Sequence, residues 1–206
     1  MAEAAAQSPL DRTAIPTILE ALGRRSLVLV GMMGAGKSSI GRRLAGRLGL
    51  AFVDADVEIE TAAGMSITEI FKIHGEEAFR AGEARVITRL LGSGPQVLST
   101  GGGAFMNEGT RKAVRDKGVS VWLKADYEVL AKRIRRRGDR PMLHTDNPAE
   151  TLRELITQRY PVYAEADLTV HSRDVPHDTI VDELVLVLAQ WFAEHAEPDS
   201  TEGPVP

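Results

Sequence analysis

Apolar residues along this chain come in two rhythms. Short unbroken or nearly unbroken runs recur at Ser26-Leu27-Val28-Leu29-Val30, Leu50-Ala-Phe-Val53, Gln96-Val-Leu-Ser-Thr100, Val119 to Leu123 and Asp167 to Val170. Runs of this length without polar alternation read as strands buried on both faces. Between them apolar residues return at three- and four-residue spacing, which predicts helices. Such helices are expected after the first strand through Ile40 to Leu48, then at Glu58 to Ala63, Ile67 to Ile73 and Gly75 to Leu91. Ser66 and Glu69 stand in capping-box spacing. Further helices are expected at Asn107 to Lys117, at Tyr127 to Arg136, from Asn147-Pro148 to about Tyr160 with a stop at Pro161, and at His177 to His195. A short leading helix fits Ile15 to Leu22. Strands alternating with helices imply a parallel sheet covered by helices on both faces.

Three stretches lack either rhythm. Residues 1 to about 13 are small and polar, EPDSTEGPVP closes the chain, and RRRGDRPMLHTDN is basic and then polar, as in a mobile surface segment. The expected organisation is an N-terminal extension at 1–25, partly disordered, one domain at 26–195 with a lid at about 136–148, and a disordered tail at 196–206. A chain of 206 residues suits one α/β domain with a sizeable core. Its formal net charge of -4 offers no global basic field for nucleic acid or an anionic membrane. A small-molecule partner is expected instead. The absence of cysteine excludes disulfides and thiolate chemistry, and no run approaches the roughly 18 apolar residues of a membrane span. With no basic and apolar leader, the expected location is the cytoplasm.

The chemistry concentrates in Gly31 to Ser39, GMMGAGKSS, which follows the first strand. It matches GxxxxGKS at Gly31, Gly36, Lys37 and Ser38, between a strand and a helix N-terminus as the motif requires. In such a loop backbone N–H groups cradle phosphates, the lysine reaches the β- and γ-phosphates and the serine hydroxyl binds Mg²⁺. Asp54 and Asp56 follow the second strand, where open α/β sheets place ligands, and on an extended backbone they would project to one side. N-capping of the next helix is the alternative reading of that pair. Gly101-Gly102-Gly103 follows the third strand and lets a ligand approach the backbone. Histidines 74, 144, 171, 177 and 195 have no metal-ligand spacing and read as surface or capping residues.

A phosphate loop leaves the phosphoryl acceptor open, and no guanine-reading NKxD occurs. The segments GMMGAGKSSIGRRLA, DADVEIE, GEEAFRAGE, STGGGA, RRGDRPML and QRYPVYAEAD, in this order over about residues 26 to 176, together resemble the shikimate kinase family. That resemblance implies a three-layer α/β/α P-loop kinase fold with a five-stranded parallel sheet and a mobile lid. It implies transfer of the γ-phosphoryl group of ATP to the 3-hydroxyl of shikimate, on the route to chorismate and aromatic amino acids. It further implies ATP as co-substrate, Mg²⁺, shikimate as small-molecule partner, no nucleic acid, no membrane and a monomer. By the same resemblance Gly34, Ala35, Gly36, Lys37, Ser38, Ser39 and Arg140 bind the nucleotide, and Ser38 and Asp54 serve the metal. Asp56, Arg80, Gly101, Gly102, Gly103 and Arg159 bind the acceptor, and Asp56, Lys37 and Arg140 are catalytic. Glu83, one turn from Arg80, either steadies that arginine or forms a solvated ion pair with it. Arg133 and Arg173 are candidates to flank the adenine. A gluconate kinase and a non-catalytic nucleotide-binding module are the rival readings, the first disfavoured by DADVE, the paired arginines and GGG taken together, the second by intact Asp56, Lys37 and Arg140.

Overall fold

The computed structural model describes residues 9–137 and 147–195. Five strands form one wholly parallel sheet in the order β2-β3-β1-β4-β5: β1 (Ser26–Val30), β2 (Ala51–Asp54), β3 (Gln96–Ser99), β4 (Gly118–Lys124) and β5 (Leu168–His171). Three of the apolar runs form the inner strands β1, β3 and β4, buried along nearly their whole length. The edge strands depart from the expected burial on both faces: β2 is exposed or half-buried throughout and β5 alternates buried and exposed positions. An inner strand of a doubly covered sheet meets packed helices on both sides and has no solvent face to mark with polar residues.

The helices are α1 (Pro9–Leu22), α2 (Lys37–Leu48), α3 (Ala55–Ala63), α4 (Ile67–Leu91), α5 (Glu108–Lys117), α6 (Tyr127–Arg137), α7 (Pro148–Tyr163) and α8 (His177–Glu194). α2 packs with α8 over one side of the sheet and α4 with α5 over the other. The leading helix begins at Pro9, earlier than its apolar spacing suggests, and lays Ile15, Ile18 and Leu22 against the core beside α8. Proline in a first helical turn loses no hydrogen bond, since its missing N–H would have no partner there. The two helices expected around Gly75 join into α4 across a kink at that glycine, where φ is 79°. The expected stop at Pro161 does not occur: α7 runs on to Tyr163, and the Ala164 N–H closes the last turn on Tyr160 O. Fully buried Tyr163 anchors that final turn more strongly than the proline opposes it.

Topology places the site. The chain leaves β1 for one edge of the sheet and leaves β3 for the other, so neighbouring strands feed connections in opposite directions. A crevice opens at their carboxyl ends, the usual ligand position in such sheets. Leu29 pairs with Ser99, and the Thr100 N–H donates to Leu29 O at 3.2 Å, which sets Gly31–Gly36 beside Gly101–Gly103.

Candidate active site

The first wall is the loop between β1 and α2. Gly36 precedes α2 with φ 94° and ψ 11°, a left-handed conformation that glycine adopts without a Cβ clash, and no side chain caps the helix. The first N–H groups of α2 are therefore available to an anion at the helix N-terminus. Lys37 is 8 % exposed, and its Nζ donates to Gly31 O at 2.7 Å and Met32 O at 3.0 Å. Gly34, Gly36, Ser38 and Ser39 line a cavity of about 290 Å³. Ala35 turns its methyl group into the core and can serve a ligand only through its backbone.

The second wall comes from β2 and β3. Ser38 Oγ donates to Asp54 Oδ2 at 2.7 Å and lies 3.5 Å from Ser99 Oγ. Asp54 ends β2 and caps α3, with Oδ1 accepting the Asp56 N–H at 3.2 Å. The chain thus turns into a helix directly after Asp54, and the expectation that both carboxylates project from one extended segment is corrected. The capping bond satisfies a helical N–H that would otherwise lack a partner, which favours the early start. Both carboxylates still reach the same cavity.

The acceptor side is assembled from α3, α4, the glycine triplet and α7. A Cβ on Gly101 would lie 2.6 Å from Glu83 Oε1 and 2.9 Å from Asp56 Oδ1. A Cβ on Gly103 would fall 2.5 Å from the Arg80 guanidinium, and one on Gly102 would lie 3.6 Å from Arg159 Nη1. Each glycine therefore leaves room for a charged side chain drawn from elsewhere in the sequence. Arg80 Nη1 donates to Glu83 Oε2 at 2.7 Å, and Glu76 takes the other edge of the guanidinium at 3.3 Å. Glu83 is 2 % exposed, so the reading of it as a solvated partner is overturned. Burial pushes its carboxyl pKa up, against the lowering pull of Arg80. Glu83 Oε1 is buried without a hydrogen-bond partner among the described residues. Arg159, 5 % exposed, donates to Gly102 O at 3.2 Å. A cleft of about 470 Å³ lined by Arg80, Gly103, Asn107 and Arg159 adjoins the triplet.

Arg133 bridges the loop and the segment after β5, donating to Ser172 Oγ at 2.8 Å, Gly34 O at 3.3 Å and Arg173 O at 2.6 Å. Arg173 itself pairs with Glu183 on α8. Arg140 and His144 lie outside the described residues, as does most of the expected lid. Sequence reasoning missed Ser99, Thr100, Asp174 and His177, which line the nucleotide-side cavity, and Tyr163, which reaches Gly102. Two hydroxyl residues ending an otherwise apolar run were a signal for Ser99 and Thr100. Nothing local marks Asp174 or Tyr163.

An arrangement with a phosphate loop, a hydroxyl–carboxylate pair and an adjoining cluster of two arginines and two carboxylates can hold a nucleoside triphosphate against an anionic hydroxylated acceptor. Comparison with known proteins agrees. The family profile described as shikimate kinase matches residues 33–189. The shikimate kinase of Bradyrhizobium diazoefficiens is 62 % identical over 180 residues, covering 87 % of either chain. That of Rhodopseudomonas palustris is 59 % identical over 92 % of this chain and 91 % of its own. A structure of the Acinetobacter baumannii shikimate kinase in complex with shikimate superposes with a TM-score of 0.78 at 34 % identity, over 84 % of this chain and 96 % of the other. A gluconokinase from Sinorhizobium meliloti, at 22 % identity and a TM-score of 0.59 over 83 % of this chain and 95 % of the other, shares the fold alone. The chain belongs to the shikimate kinase family.

Proposed function

We propose that the protein moves the γ-phosphoryl group of ATP onto the 3-hydroxyl of shikimate, giving shikimate 3-phosphate and ADP. The observation that carries the reading is the cluster of Asp56, Arg80, Glu83 and Arg159 around a glycine triplet that also borders the phosphate-loop cavity. Phosphoryl transfer asks a protein chiefly for alignment and charge stabilisation. Arg80 and Arg159 grip the acceptor's carboxylate; charge-assisted bonds of this kind contribute about 1.5–3 kcal/mol each and select an acid over a neutral sugar. Asp56 accepts the hydroxyl hydrogen bond and orients that oxygen for in-line attack. Lys37 faces the phosphate side, and Arg140, outside the described residues, is the resemblance's candidate for neutralising the transferring group.

Ser38 Oγ and Asp54 Oδ2, 2.7 Å apart beside the phosphate loop, are hard oxygen donors that fit Mg²⁺. The ion, when bound, supplies charge neutralisation on the phosphates. Among the described residues no helix is long and apolar enough to cross a membrane. A monomer in the cytoplasm, with no nucleic-acid partner, completes the proposal, as do the lid near 136–148 and the flanking 1–25 and 196–206.

The test is ADP release by the purified chain with Mg-ATP and shikimate, quinate or gluconate in parallel, alongside Asp56→Asn. Turnover with shikimate alone, falling about 10²–10⁴-fold in the variant, is expected. Turnover with gluconate would overturn the acceptor, and nucleotide binding without turnover on any of the three would overturn the kinase reading.

A further inference from the structure

Tyr163 has no part in the chemistry above, yet it is fully buried and its hydroxyl donates to the Gly102 carbonyl, the middle of the glycine triplet. Arg159, one turn earlier on α7, donates Nη1–H to the same oxygen at 3.2 Å. Residues four apart share a helix face, and a carbonyl oxygen has two lone pairs, so the two donors occupy one acceptor together. The tyrosine ring is held on several sides. Trp122 stands 5.9 Å and Tyr160 6.3 Å away between ring centres, and Met32 Sδ of the phosphate loop is 3.9 Å from the hydroxyl. Gly102 itself abuts that loop: a Cβ there would lie 3.3 Å from Met33 N.

These contacts set up a competition. A guanidinium that turns toward an incoming carboxylate weakens its bond to Gly102 O, and a partly buried carbonyl left without a donor costs free energy that subtracts from acceptor binding. With Tyr163 on the second lone pair, the carbonyl keeps a donor while Arg159 turns. Burial pushes the Tyr163 pKa up to about 12, so the phenol remains an O–H donor across the working range.

We propose that Tyr163 is a positioning residue for the acceptor: by holding the Gly102 carbonyl it releases Arg159 to grip the substrate's carboxylate and keeps the triplet seated between the two half-sites. The proposal rests on the reading of Arg159 as part of that grip.

The experiment is calorimetric titration of the full chain with shikimate, and separately with Mg-ADP, for the parent, Tyr163→Phe and Arg159→Lys, with steady-state kinetics and thermal melting of each. Tyr163→Phe keeps the ring and removes one O–H. Its shikimate affinity is expected to fall about three- to tenfold, the equivalent of one net hydrogen bond. Mg-ADP affinity should stay within about twofold, and KM for shikimate should rise while kcat is kept. A purely structural tyrosine would lower the melting temperature and leave shikimate affinity unchanged, or weaken both ligands equally; either result overturns the proposal. Weakened shikimate binding in Arg159→Lys with none in Tyr163→Phe overturns the proposal alone. Unchanged binding in Arg159→Lys overturns the reading of Arg159, and the proposal with it.

Discussion

The two glycine-rich stretches that face each other across this site use glycine for opposite reasons. In the phosphate loop Gly31, Gly34 and Gly36 have φ of 133°, 83° and 94°, and a Cβ on Gly31 would meet the backbone oxygen of Leu123 at 2.7 Å. The triplet Gly101–Gly103 contains no positive φ, and the space beside it is taken by the ends of Glu83, Asp56, Arg80 and Arg159. One stretch bends the backbone around a ligand and packs it against rigid main chain. The other is a turn made without any positive φ and cleared of side chains so that charges from distant elements can gather. The phosphate loop is therefore written in one contiguous segment, and the acceptor side is written in absences.

If the two stretches differ in this way, the same substitution should have different consequences in each. Gly31→Ala should be the most damaging, because both its φ and its contact with a backbone oxygen resist a Cβ. A destabilisation of about 3 kcal/mol is expected, a fall of roughly 10 °C in a thermal melt, and a melt within 2–3 °C of the parent would break the comparison. Gly103→Ala puts its Cβ against a flexible guanidinium that can move aside. Its melting temperature should change by less than about 2 °C, while displacement of Arg80 weakens shikimate binding about 10–100-fold by calorimetry.

Glu83→Gln sharpens the acceptor half. The folded-state pKa of Glu83 is raised by burial, so between the ordinary carboxylate range and that raised value the folded chain holds a proton the unfolded chain has released. Its contribution to stability is fully present below the ordinary range and is lost as pH rises through the folded value. At neutral pH the amide removes that cost. The variant should melt at or above the parent temperature at pH 7 and lose that advantage as pH is lowered through the carboxylate range, while binding shikimate about tenfold more weakly because Arg80 is no longer steadied by a charge. A lower melt at pH 7 with unchanged affinity would make Glu83 a structural residue. The smallest effect is expected at Gly46 on α2, which is exposed, helical and has nothing within 4 Å of a built Cβ. Gly46→Ala should stabilise the protein by about 0.5–1 kcal/mol and leave both ligand affinities unchanged, as a glycine with neither task.

Much of the framework was legible in advance. The apolar runs located all five strands: the three inner ones carry no polar face to confuse the pattern, and the edge strands β2 and β5 were still marked by their apolar residues. The helix caps at Ser66, Asn107 and Asn147 are local devices and form where the residues suggest. Local rules failed at Pro9 and Pro161, where packing of α1 on α8 and burial of Tyr163 carried helices past their expected ends. At Asp54 the cap forms as a local rule allows, and the same carboxylate also meets Ser38, which no local rule gives.

By itself the sequence determined what depends on neighbouring residues: the strand–loop–helix of the phosphate site, the alternation that makes the sheet parallel, and the residue types that resemble a known family. Only the tertiary structure decided that Glu83 is buried rather than solvated, and that Arg80 and Arg159 converge on adjacent glycines. It also decided that Tyr163 shares a carbonyl with Arg159. Asp56, Glu83, Gly101 and Arg159 lie far apart along the chain, and the sheet order that brings β3 beside β1 closes those distances. The reason is physical: a left-handed turn or a helix cap is set by dihedral angles within a few residues, whereas burial and charge pairing are set by whatever the packed elements place opposite.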